Sequence, residues 1–81
     1  MIPYAVDATS LEKFCAASPL NVWAKSIPMQ KVEEIRRLPN PRSRGGLYRG
    51  KWHYPVSNFQ VVAEIDDTAR TVRLLSYIRL P

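Results

Sequence analysis

From Ile35 through Ala63 the chain carries no carboxylate, yet Arg36, Arg37, Arg42, Arg44, Arg49 and Lys51 all fall in that window. Tyr48, Trp52, His53, Tyr54 and Phe59 are interleaved with them. Clustered cations suit the oxygens of a phosphate backbone, and rings among them suit base stacking, worth about 1–3 kcal/mol per base. The same pattern also describes a solvated basic face lying over core aromatics. Across the whole chain, 12 Lys and Arg against 7 Asp and Glu give a net charge of +5, which points to a polyanionic partner. Arg36, Arg37, Arg42 and Arg44 are the candidate nucleic-acid contacts, although Arg42 and Arg44 also suit a role in loop solubility.

Other chemistries lose support. Cys15 is the single cysteine and His53 the single histidine, so an internal disulfide and a zinc site are both disfavoured. No P-loop, dinucleotide fingerprint or serine-nucleophile elbow is present, and no metal or cofactor is expected. No apolar run approaches the roughly 20 residues needed to cross a bilayer. Met1-Ile2-Pro3-Tyr4 does not open like a secretory leader, so a cytoplasmic, reducing setting without membrane contact is expected.

The elements that must position these residues can be read from periodicity. Eighty-one residues, 46% hydrophobic and 23% charged, predict a single globular domain over 1–81. Ile2, Tyr4 and Val6 alternate as in a first strand over Met1 to Asp7, with Pro3 restricting it to an edge or a strand start. Thr9-Ser10-Leu11-Glu12 has capping-box spacing and starts a helix whose inner face is Leu11, Phe14 and Cys15. Ser18-Pro19 interrupts that pattern and can open a further turn, with Trp23 expected in the core. Ser26-Ile27-Pro28 reads as a second cap with a first-turn proline, followed by Met29, Val32, Ile35 and Leu38 on one face. Pro39-Asn40-Pro41 ends that helix, and Arg42 to Gly46 is a polar loop.

From Leu47 the period changes to two. Tyr48, Gly50, Trp52 and Tyr54 alternate with Arg49, Lys51 and His53 in one expected strand to Tyr54. A turn at Pro55 to Asn58, a β-branched strand from Phe59 to Ile65 and a turn at Asp66 to Arg70 follow. The last segment sets Val72, Leu74, Ile78 and Leu80 on one face and Arg73, Leu75, Tyr77 and Arg79 on the other. The expected fold class is α+β, with N-terminal helices packed on a C-terminal antiparallel sheet of three to four strands. Arg49, Lys51 and His53 can then lie on the sheet face that the helices leave open.

Leu47-Tyr48-Arg49-Gly50-Lys51-Trp52, Asn58 to Asp67 and Arg70-Thr71-Val72-Arg73-Leu74-Leu75 together resemble the RelE/ParE toxin superfamily, over roughly residues 32 to 79. The resemblance implies a toxin of a type II toxin–antitoxin module that forms a hetero-oligomer with its cognate antitoxin. Its RelE-like branch implies a metal-independent endoribonuclease that cuts mRNA on the ribosome and so inhibits translation. The ParE-like branch implies inhibition of DNA gyrase, and a non-catalytic member that binds nucleic acid or a partner is a third reading. Carried over by position, the resemblance points to Arg49 and Lys51, and at the last strand to Tyr77 and Arg79, as catalytic, and His53, two residues on along the face of Lys51, joins them as base or acid. Arg49 and Lys51 would stabilise charge on phosphate, and His53 would move a proton. His53 also suits an ordinary strand position, Tyr77 cross-strand packing and Cys15 a buried helix position. Gln60 stands where the family often has an arginine.

Overall fold

The structure, a computed structural model, describes residues 4–17 and 22–80, without the side chains of 22–25. Ile2, Pro3, Ser18-Pro19 and the Trp23 side chain therefore lie outside the described residues. The chain runs β1 (Ala5–Asp7), α1 (Thr9–Ala17), α2 (Val22–Arg36), β2 (Gly46–Tyr48), β3 (Lys51–Val56), β4 (Phe59–Asp66) and β5 (Thr71–Arg79). The strands form one sheet in the order β1-β5-β4-β3-β2, antiparallel except that β1 lies parallel to β5. The fold is α+β, as expected. The sheet has five strands rather than three or four, because the N-terminal strand joins it and the segment from Leu47 folds into a hairpin.

Local chemistry explains the boundaries. Asp7 caps α1: its Oδ1 accepts the Thr9 N–H at 3.0 Å, while the Glu12 N–H donates to the Ala8 carbonyl at 2.9 Å. Thr9 was expected to fill the cap position, but the helix has begun by then. The Thr9 N–H holds the Asp7 carboxyl below the usual carboxylate range. Helix α2 begins at Val22, so Ser26 is not its cap and Pro28 sits inside it. An interior proline forfeits one helical hydrogen bond, and burial of its ring offsets part of that loss. Arg37 and Leu38 close α2 with N–H bonds to the carbonyls three residues back, before Pro39.

The core fills one side of the sheet. Leu11 and Cys15 of α1, and Val32 and Ile35 of α2, pack against Tyr54, Phe59, Val61, Ala63, Val72, Leu74 and Tyr77. Met29 and Leu38 border them, completing the expected face of α2. Tyr54 is fully buried, and its hydroxyl donates to the Pro41 carbonyl at 2.6 Å, tying the post-helical loop to the sheet. Burial pushes its pKa up to about 12.

Two irregularities change which side chains face which way. Tyr48 pairs with Lys51 across Arg49 (φ 52°) and Gly50 (φ 79°), the two-residue left-handed turn of a tight hairpin. The continuous strand expected from Leu47 to Tyr54 is therefore two strands. In β5, Val62 pairs with Ser76 but Ala63 with Leu74, so Leu75 is an extra residue and the alternation slips by one. Val72 and Leu74 face the helices before the slip, and Tyr77 does so after it. Tyr77, expected opposite Val72, instead shares its face, and Ile78 moves to the open side.

Candidate functional site

The uncovered side of the sheet carries alternate residues of β3, β4 and β5, with Tyr48 of β2 at one edge. Its centre of charge is Glu64. Lys51 Nζ lies 2.7 Å from Glu64 Oε1, and Arg73 donates to Oε2 at 2.6 Å. The Lys51 ammonium, and after it Arg73, holds the Glu64 carboxyl below the usual carboxylate range. The register around the two-residue turn at Ser57-Asn58 accounts for the first pair. Val56 faces Phe59 and Trp52 faces Ala63, so the next step brings Lys51 to Glu64.

His53 stands two residues along the same strand face and is buried, 7% exposed. Its Nδ1 lies 3.1 Å from the Lys51 carbonyl. A carbonyl oxygen can only accept, so Nδ1–H donates and the lone pair of the neutral ring rests on Nε2. Tyr48 meets the imidazole edge to face, with ring centroids 5.6 Å apart, and the Arg49 guanidinium lies 5.3 Å from the Tyr48 centroid. Beyond His53, an open groove of about 470 Å³ runs between Tyr48 and Pro55 on one flank and Ile78 and Leu80 on the other, with Gln60 on its floor.

The sequence-derived residues divide accordingly. Lys51 and His53 share the open face, and Arg49 stands at the hairpin turn beside them. Tyr77 does not join them. It is 8% exposed on the helix side, edge-on to Phe14 at 5.0 Å and to Phe59 at 5.3 Å. Arg79 pairs with Phe59 and so follows the same parity, exposed at the end of β5. Of the arginines assigned to nucleic acid, Arg36 pairs with Glu33 on its own helix, and Arg37 and Arg44 are exposed with no ion pair among the described residues. Arg42 grips Asp67 with both terminal guanidinium nitrogens, at 2.7 and 3.1 Å. That guanidinium, together with the Tyr4 hydroxyl that donates at 2.6 Å, keeps the Asp67 carboxyl below its usual range. The acid-free window is thus partly neutralised in space, by Glu64 on Lys51 and Asp67 on Arg42.

Glycine fixes the join between loop and sheet. At Gly45 (φ 81°) an added Cβ would lie 2.2 Å from the His53 carbonyl oxygen and 2.9 Å from Trp52 Nε1. Trp52 Nε1 also donates to the Arg44 carbonyl at 2.8 Å, so the loop is pinned directly behind His53. From sequence, Arg42 to Gly46 reads only as a polar loop, and neither Glu64 nor Arg73 is marked as a site residue. Counting back from the Ser57-Asn58 turn would have paired Lys51 with Glu64. Among the described residues, no group of three or more His, Cys, Asp or Glu side chains could hold a metal, and no helix is long and apolar enough to cross a membrane.

The comparisons with known proteins bear on this architecture. No protein-family model matches the chain, and no curated protein matches it. Among solved structures, a chain of the toxin-antitoxin complex RelBE2 from Mycobacterium tuberculosis matches over 98% of this chain and 93% of its own, with a TM-score of 0.70 and 21% identity. The fold is RelE-like. In this RelE-like fold the helices occupy one side of the sheet, and the Lys51–Glu64–Arg73 cluster, His53 and the groove occupy the other.

Proposed function

We propose that the chain is the toxin of a type II toxin–antitoxin module, held inactive by a cognate antitoxin, and that its open sheet face cleaves mRNA on the ribosome in the cytoplasm. The observation that carries this reading is the RelE-like fold, shared over 98% of the chain with a component of a toxin-antitoxin complex. The open face supports it chemically. In metal-independent cleavage the ribose 2′-hydroxyl attacks the adjacent phosphorus, the P–O5′ bond breaks, and a 2′,3′-cyclic phosphate and a 5′-hydroxyl result. One group must take the 2′ proton and another must protonate O5′, while cations stabilise the added charge on phosphate. His53 Nε2 takes the 2′ proton on this face, and water at the open face protonates the departing O5′. Arg49, Lys51 and Arg73 are the cations, and an incoming phosphate competes with Glu64 for the last two.

Programmed ribosomes incubated with the purified protein and analysed by primer extension test this reading. Wild type should cut, and the Arg49→Ala/Lys51→Ala double variant should cut about 100-fold more slowly or worse. Absence of cleavage by wild type, or full cleavage by the double variant, contradicts it. A second reading, inhibition of DNA gyrase, is favoured by Gln60, a neutral side chain at the centre of the face, and by Tyr77 lying in the core. It requires gyrase-dependent DNA breaks on induction.

A further inference from the structure

The groove beside His53 has a polar side chain on its floor. Gln60 lies between Pro55 and Ile78 in the sheet register, half-buried on the groove floor. Among the described residues no hydrogen bond engages its carboxamide, although Lys51, Arg73 and His53 on the same face are all engaged. Around it the walls are apolar and exposed: Tyr48 is 57% exposed, Ile78 44% and Leu80 37%. A free carboxamide between an aromatic ring and aliphatic walls offers a flat ring both stacking surface and one donor-acceptor pair.

We infer that this groove is a nucleobase subsite, and that Gln60 selects adenine in an RNA strand. The Gln60 oxygen accepts from adenine N6–H while its amide N–H donates to N7, the pairing a carboxamide makes to this base. Guanine presents two acceptors, O6 and N7, along that edge, which leaves the carboxamide oxygen facing a lone pair. Pyrimidines lack N7 and fill less of a groove of about 470 Å³. Unstacked single-stranded bases are read in this way, by stacking on rings and by hydrogen bonds to their edges. The placement also suits the chemistry. The Gln60 row is two residues along the strand from the His53 row, roughly 6–7 Å, so a base over Gln60 sets its own phosphate near His53 and the cations beyond.

This inference rests on the endoribonuclease reading for its biological meaning, but it can be tested without cleavage. The 3′-monophosphates of adenosine, guanosine, cytidine and uridine would each be titrated into the intact chain by calorimetry, with amide NMR shifts locating the site. The adenosine nucleotide should bind about tenfold or more tightly than the others. Its shifts should centre on Tyr48, Gln60 and Ile78. Gln60→Ala should erase the preference, and the isosteric Gln60→Glu, which keeps the shape but loses the donor, should weaken adenosine binding most. Equal binding of the four nucleotides, binding of none, or a preference that survives both substitutions overturns the subsite. Adenine-selective binding that depends on Gln60, with no cutting on ribosomes, upholds the subsite and removes the nuclease. Cutting without that selectivity does the reverse.

Discussion

The two faces of this sheet are built from the same strands and differ in almost everything else. Tyr54, Phe59, Val61, Ala63, Val72, Leu74 and Tyr77 point to the helices and are almost wholly buried. The alternate residues Lys51, His53, Gln60, Glu64, Arg73 and Ile78 point away and carry ion pairs, an imidazole and an apolar groove. The helix side holds the fold together by excluding water, and the open side keeps polar groups where a ligand can reach them. Substitutions on the first should be read in stability, and substitutions on the second in binding and activity.

The sharpest break of that division is Phe59→Ala. Phe59 is 2% exposed and edge-on to Tyr77, so truncation should cost about 3–5 kcal/mol in urea unfolding. A loss below about 1 kcal/mol would mean that the helix side is not the core described here. Next is Tyr54→Phe, which leaves the Pro41 carbonyl without its donor and should cost about 1–3 kcal/mol by the same measurement.

Arg49 supplies the reverse case. It holds a left-handed φ of 52° where glycine would be unstrained. Arg49→Gly should therefore stabilise the chain by about 1 kcal/mol while slowing RNA cleavage, with calorimetric unfolding and primer extension run on the same sample. A variant that gains both stability and activity would show the strain to be incidental to function.

The smallest effect on stability is expected at Glu64→Gln. Ion pairs open to solvent contribute little, so unfolding at neutral pH should change only slightly. Affinity for single-stranded RNA should instead rise, and its salt dependence steepen, because Lys51 and Arg73 are released to phosphate. The acid limb carries a second signature. The folded pKa of Glu64 is lowered, so its contribution is present above the unfolded carboxylate value of about 4.3 and is lost as pH falls through the lowered folded value. Glu64→Gln should therefore lie slightly below wild type above that acid window, with the same slope, and flatten the fall in stability within it.

Much of the architecture was legible from periodicity. The apolar spacing of Met29, Val32, Ile35 and Leu38 marked the inner face of α2, and the turns expected at Pro55 to Asn58, narrowed by the longer β3 to Ser57-Asn58, and at Asp66 to Arg70 divided the meander. What was misread turned on single residues. Arg49-Gly50 is a weaker turn signal than Asn-Gly, so the β2–β3 hairpin looked like one strand. The extra residue Leu75 exchanged the faces of Tyr77 and Ile78, which no count from sequence anticipates. Pro28 lies inside a helix because tertiary burial outweighs a local preference. The site was legible in its cations but not in their partners. Glu64 and Asp67 lie outside the acid-free window in sequence and reach into it only through strand register and loop closure.

If the open face cuts mRNA as proposed, induction of this chain alone in cells should stop translation. Incorporation of labelled amino acid and of labelled thymidine would be followed in parallel. Protein synthesis should collapse first while DNA synthesis continues, and co-expression of the cognate antitoxin should restore it. Unimpaired growth, or arrest of replication with DNA breaks ahead of any fall in translation, would contradict the account.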